Sequence, residues 1–161
     1  MPTKSLSFVE AIKSCFSKYV TFKGRARRSE FWWFYLLNAL PSVVLCYAMS
    51  WKLGKRAELE SQMYDAVFSG GDVDAIMAQA ESVDTTFFTV AGIVCVVSLL
   101  LFLPMLAVWV RRLHDTGKTG HLLWLCLFFG IGGIIPLLFC LGDSKREANK
   151  YGPSPKYQPQ V

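Results

Sequence analysis

Charged side chains are missing from three stretches of the chain, residues 31–51, 87–110 and 122–141, which are 21, 24 and 20 residues long. A helix rises about 1.5 Å per residue, so each stretch reaches roughly 30 Å, the thickness of a bilayer's hydrocarbon core. An amphipathic element of a soluble domain needs a polar face, and these stretches have none. The pattern predicts an all-α integral membrane protein with three transmembrane helices. It divides the chain into a basic segment 1–30, a transmembrane domain 31–141 that contains an acidic loop 52–86, and a flexible polar tail 142–161.

Each predicted span carries one proline, Pro41, Pro104 or Pro136. A proline leaves the carbonyl four residues earlier without its helical donor, here at Leu37, Leu100 and Gly132, so kinks are expected there. Within residues 6–20, Phe8, Val9, Ile12, Phe16, Tyr19 and Val20 recur at helical spacing among Lys4, Lys13 and Lys18. That pattern predicts a basic amphipathic helix lying on the membrane surface. The acidic loop holds two short helical patterns, Leu59/Met63/Ala66/Val67 and Val73/Ile76/Met77/Ala80, separated by Gly70-Gly71-Asp72. The glycines can end one helix and Asp72 can cap the next, giving an acidic helical hairpin.

The overall composition agrees: of 161 residues, 53% are hydrophobic and 18% charged, too apolar for a disordered chain. The first apolar segment opens only at Phe31 and is too long for a cleavable signal peptide. Five cysteines without a C-x-x-C pair, four of them inside the apolar stretches, read as small buried hydrophobes; neither a metal site nor a cofactor is expected.

Orientation follows from the basic residues. Residues 1–30 carry seven Lys/Arg, whereas 52–86 carries three against seven Asp/Glu, which puts the N-terminus in the cytoplasm and the acidic loop outside. With three full crossings the tail would lie outside, and ten basic residues inside would face seven outside. Were the glycine-rich third segment a re-entrant hairpin, the tail would return and the balance would become fourteen against three. Three full spans are expected, since irregular backbone facing lipid is costly.

Two basic clusters flank the spans. The first, Lys23-Gly24-Arg25-Ala26-Arg27-Arg28-Ser29-Glu30, places Ser29 as a helix cap and Glu30 at the positive end of the entering helix, with three arginines opposing that dipole. The second, Arg111-Arg112-Leu113-His114-Asp115-Thr116-Gly117-Lys118, suits a helix C-terminus closed by Gly117, except for Asp115. A carboxylate there needs a partner, either Arg111 one turn back or an arginine of the first cluster. The segment before span one and the loop after span two share one side of the membrane in either orientation. Arg25, Arg27, Arg28, Arg111, Arg112, His114 and Lys118 are therefore expected on one cationic face that binds lipid phosphates, with Glu30 and Asp115 as structural partners.

Gly117-Lys118-Thr119 is no phosphate-binding loop, because Arg112 stands where its first glycine belongs. His114 beside Asp115 makes a poor catalytic pair, since neighbouring side chains on a helix point apart. No catalytic residue is expected.

The blocks Phe22-x-Gly24-Arg25-Ala26-Arg27-Arg28-Ser29-Glu30-Phe31-Trp32, Arg111–Gly120, Gly142-Asp143 and Asn149-x-Tyr151-Gly152-Pro153-x-Pro155 resemble, in this order, a family of small bacterial inner-membrane proteins catalogued as domain of unknown function number 805. The resemblance covers residues 8–157 apart from the acidic loop. It implies a helical, multi-pass protein of the bacterial cytoplasmic membrane and brings no established activity.

Three functions compete on the sequence. The leading expectation is a non-enzymatic membrane protein that binds anionic lipid headgroups or a partner protein, with no nucleic-acid role. The second is a small oligomeric transporter or channel, suggested by the prolines and by Gly130-Ile131-Gly132-Gly133, although no span holds an ionisable side chain and Asn38 is the only amide. The third is a membrane enzyme using His114 and Asp115.

Overall fold

The computed structural model describes residues 5–123 and 134–157. Their elements are the helices α1 (Phe8–Ser17), α2 (Arg28–Ser69) and α3 (Val73–Asp115), a 3-10 turn (Gly120–Leu123) and the helix α4 (Ile134–Leu141). Among the described residues there is no strand, only an isolated bridge between Asn149 and Gly152.

Local chemistry explains the helix ends. Ser7 and Glu10 form a reciprocal capping box at the start of α1. Ser29, expected as the cap of α2, lies inside its first turn, and its hydroxyl instead accepts the backbone N–H of Leu6 at 3.3 Å. The turn between α2 and α3 is the expected one. Gly70 takes φ +74°, the Gly71 N–H reaches the Ala66 carbonyl at 2.8 Å, and Asp72 accepts the Ala75 N–H at 3.0 Å. At the far end of α3, Gly117 takes φ +80° and donates to His114 O while Lys118 donates to Leu113 O, a paired closure of the last turn.

The acidic segment differs from the expected pair of short helices. Both arms are direct continuations of the apolar helices, which have 42 and 43 residues. Alanine, glutamate, lysine and leucine favour that continuation. Ser82, Thr85, Thr86 and Thr89 bond back to carbonyls three or four residues earlier and so fit the helix without breaking it.

The chain divides into two compact units. One comprises residues 39–99 and the other residues 1–38 with 100–161. In the second, Cys15, Phe31, Phe34, Leu101, Met105, Val108, Leu113 and Cys140 form a buried core. Leu122, Leu123, Leu137 and Phe139 pack on that same core, so the third apolar segment starts and finishes against it. Pro104 lies within α3, and the Leu100 carbonyl it frees accepts the hydroxyl of Tyr19. The matching expectation at Pro136 and Gly132 lies outside the described residues.

The tail packs against the basic clusters. It was expected across the membrane from the basic clusters, yet Arg25 donates to the carbonyls of Lys145, Glu147 and Gly152, and Arg112 to those of Cys140 and Gly142.

The apolar lengths of α2 and α3 suffice to cross a membrane, and only 11% and 28% of their most apolar 18-residue stretches are buried. Val43, Ile93, Leu99 and Leu100 stand exposed on them. A water-soluble core helix would hide these side chains.

Candidate functional site

Gly24, at φ +92°, turns the chain after α1 so that Arg25 and Ala26 run beside the end of α3. The Ala26 N–H donates to the Arg111 carbonyl at 3.1 Å, which fixes the approach. Arg25 then reaches inward. Its Nε donates to Asp115 Oδ1 at 2.8 Å, its Nη1 to the carbonyls of Glu147 (2.9 Å) and Gly152 (3.3 Å), and its Nη2 to those of Lys145 (2.6 Å) and Asp115 (3.3 Å). All five donors of the guanidinium are used.

Arg112 approaches Asp115 from one turn back on α3. Its Nη1 pairs with Oδ2, its Nε donates to Cys140 O at 3.1 Å and its Nη2 to Gly142 O at 2.6 Å. The Ser144 hydroxyl also donates to Oδ2. Burial pulls the Arg112 guanidinium below its ordinary value, with Asp115 acting against that pull.

A second ion pair lies beside the first. Arg111 Nη1 meets Glu30 Oε1 at 2.9 Å, and the same oxygen accepts the Ser14 hydroxyl at 3.2 Å and faces the Cys15 sulfur at 3.9 Å. Arg111 Nη2 is buried without a hydrogen-bond partner among the described residues. Burial and the Glu30 carboxylate push the Cys15 thiol up to about 12, so it stays protonated and unreactive.

His114 stacks on Tyr151 with ring centroids 3.6 Å apart and planes 5° from parallel. Its Nδ1 lies 3.3 Å from the Gly24 carbonyl, and the Asn149 side-chain amide donates to the His114 carbonyl at 2.9 Å. Burial lowers the pKa of the imidazole, against the influence of the Gly24 carbonyl.

The residues expected on one cationic face are thus brought to one place but divided between inside and surface. Arg25, Arg111 and Arg112 are 8%, 1% and 0% exposed and serve as internal cross-links. Asp115 takes Arg112 and Arg25; Arg111, the other expected partner, goes to Glu30 instead. Lys118 stays exposed with Nζ 4.8 Å from the Phe139 ring centroid.

Arg27 and Arg28 line a small cleft of 180 Å³ together with Ser5, Ser29, Ser144 and Lys156. Its one carboxylate, Asp143, lies 2.8 Å from Lys156 Nζ and 3.8 Å from Arg28 Nη1. Arg28 is anchored from below by its bonds to Leu141 O and Gly142 O, the latter at 2.9 Å. Sequence reasoning missed Ser144, Tyr151 and Lys156, all of which belong to the tail. The block Asn149-x-Tyr151-Gly152-Pro153 was a signal for Tyr151 alone.

The fold and this polar knot define an all-helical protein with two membrane-length apolar helices, stapled at one end by buried arginine–carboxylate pairs. The chain belongs to the family described as Protein of unknown function (DUF805), whose model matches residues 19–153. It is 31% identical over 146 residues to Inner membrane protein YhaI of Escherichia coli (strain K12), a match covering 89% of this chain and 93% of that protein. To Inner membrane protein YhaH of the same strain it is 33% identical over 141 residues, covering 88% and 92%. No solved structure matches the chain.

Proposed function

We propose that this chain is a non-enzymatic protein of the bacterial inner membrane whose cytoplasmic cleft binds the phosphate of an anionic lipid headgroup. The observation that carries the reading is the cleft lined by Arg27, Arg28 and Lys156 at the start of α2. Three cations face one carboxylate there, and the N-terminus of a long helix adds its own positive end. Hydroxyls of Ser5 and Ser29 supply neutral contacts of the kind phosphate oxygens accept. The buried pairs hold the cleft in shape, and only Arg27, Arg28 and the tail cation meet the ligand. His114, held between Tyr151 and the Gly24 carbonyl, is positioned as a packing residue, which supports a binding role over an enzymatic one.

In the proposed topology α2 and α3 cross the bilayer, and the third apolar segment enters and leaves on the cytoplasmic side. The tail's bonds to Arg25 and Arg112 support this, and with the tail inside, fourteen basic residues lie in the cytoplasm against three outside. Helix α1 leaves Phe8, Val9 and Phe16 exposed, in keeping with a helix resting on the inner leaflet.

Native mass spectrometry of gently purified protein tests the binding. Wild type is expected to retain stoichiometric anionic lipid, and an Arg27→Ala/Arg28→Ala variant to lose it while the Lys/Lys variant keeps part of it. Equal retention by wild type and the Ala/Ala variant, both still folded by thermal melt, would defeat the reading.

A further inference from the structure

The unit of residues 39–99 carries a groove of its own. The arms of the acidic hairpin leave a cleft of 710 Å³ between them. Its floor is apolar: Leu59 and Met63 on α2 face Ile76, Met77 and Ala80 on α3. Leu59 and Met63 are one turn apart, as are Ile76 and Ala80, so each arm contributes about one turn of apolar surface to the groove. Leu59 is buried, whereas Met63 and Met77 are 37% and 60% exposed. Two helices can shield only one side of such a surface, and a third helix laid along the groove would cover the remainder.

The rim selects the charge of that third helix. Glu60, Asp74 and Glu81 line the groove and form no ion pair among the described residues. The nearby cations are already engaged: Lys52 lies 3.1 Å from Asp84, Arg56 also pairs with Asp84, and Lys55 lies 2.7 Å from Glu58. An apolar floor containing flexible methionines between unpaired carboxylates matches a helix with leucine-like residues on one face and lysine or arginine at its flanks. A second copy of this hairpin is the wrong partner, because it would bring the same carboxylates face to face.

We propose that the groove between the hairpin arms is a docking site for a cationic amphipathic helix of another protein. The site is independent of the lipid cleft, and in the proposed topology it opens outside the cytoplasm. Methionine side chains adapt their shape, so the groove accepts a class of basic helices defined by charge and periodicity more than by one sequence.

The test uses the full chain in nanodiscs of zwitterionic lipid and a fluorescent Leu/Lys peptide of helical period, about four turns or roughly 21 Å long. A peptide of the same composition with alternating Leu and Lys is the control. Anisotropy is expected to show saturable binding of the helical-period peptide and much weaker binding of the control. Glu60→Lys/Glu81→Lys should weaken binding roughly tenfold or more, as reversal of two facing charges implies. Met63→Ser/Met77→Ser should also weaken it, with circular dichroism confirming that both variants keep their helical content. Equal binding of the two peptides, or unchanged binding by both variants, would overturn the proposal. Dimers seen by mass photometry of the nanodiscs and abolished by Met63→Ser/Met77→Ser would overturn it too, assigning the groove to a second copy.

Discussion

Arg25 and Asp115 stand 90 positions apart and meet Nε to Oδ1 at 2.8 Å with both side chains almost wholly buried. This pair ties the segment before α2 to the end of α3, and Arg112 completes it from the other oxygen. Taking one partner away leaves two buried guanidinium groups without their counter-charge. Asp115→Ala is therefore expected to cost about 3–5 kcal/mol, the range for breaking a buried pair. Thermal unfolding in mild detergent reads it, and a melting point within a degree or two of wild type would show that the pair contributes little net stability. Asp115→Asn, which keeps the shape and one acceptor, should fall between the two.

His114 supplies a pH dependence. Burial holds its folded pKa below the ordinary 6.5, so between those two values the unfolded chain binds the extra proton and the folded chain does not. Stability from this group is fully present above the ordinary value and is lost as pH falls through it to the folded value. The melting temperature of wild type should drop as pH falls below the ordinary imidazole value of about 6.5. In His114→Gln that part of the slope should vanish; a slope that persists unchanged would assign it to the carboxylates.

Tyr19 and Pro104 should show coupling that neither contact maps nor sequence spacing alone would give. The proline frees the Leu100 carbonyl and the tyrosine hydroxyl satisfies it. Tyr19→Phe in the natural background is expected to cost about 0.5–1.5 kcal/mol. With Pro104→Ala the Ala N–H can bond to Leu100 itself, and the same Tyr19→Phe change should then be nearly neutral. Additive effects across the four variants would break the link between the two residues.

Asp143 occupies the proposed headgroup cleft as the chain's own anion. Its hydrogen bond from Lys156 holds its pKa below the usual carboxylate value. A lipid phosphate entering the cleft must compete with that carboxylate for Arg28 and Lys156. Asp143→Asn is expected to raise retention of anionic lipid several-fold in native mass spectra. Lower retention would mean that Asp143 orders the cleft and does not compete for it.

Parts of this arrangement were legible in the sequence and parts were not, for physical reasons. The turn at Gly70-Gly71-Asp72 and the left-handed Gly117 could be read because each rests on a residue type with few alternatives. Asp115 stood out as a carboxylate at the negative end of a helix, but its partners did not. Arg111 points to Glu30 because consecutive helical residues are about 100° apart, and only the neighbouring elements decide which of two adjacent arginines faces Asp115. The tail was hardest to place, because it contributes backbone carbonyls to Arg25, Arg28 and Arg112. Every residue has a carbonyl, so composition carries no trace of that role. The continuous helices through residues 52–86 were obscured as well, since their polar surfaces dilute the periodic signal that marks a buried face.

The tail's placement makes the sharpest prediction about topology. Its carbonyls at Gly142, Lys145 and Glu147 accept from arginines on both sides of the knot, so the C-terminus should share the compartment of the N-terminus. A green fluorescent protein fused after Val161 is expected to fluoresce, because it folds in the cytoplasm, and alkaline phosphatase fused there should stay inactive. Phosphatase inserted at Gly70, in the acidic turn, should be active. The Arg25→Ala/Arg112→Ala variant separates structure from topology: fewer tail contacts should lower its melting point, while the remaining basic residues keep both ends inside. Active phosphatase at Val161 in the wild-type chain would restore three full crossings and require residues 142–157 to lie away from Arg25.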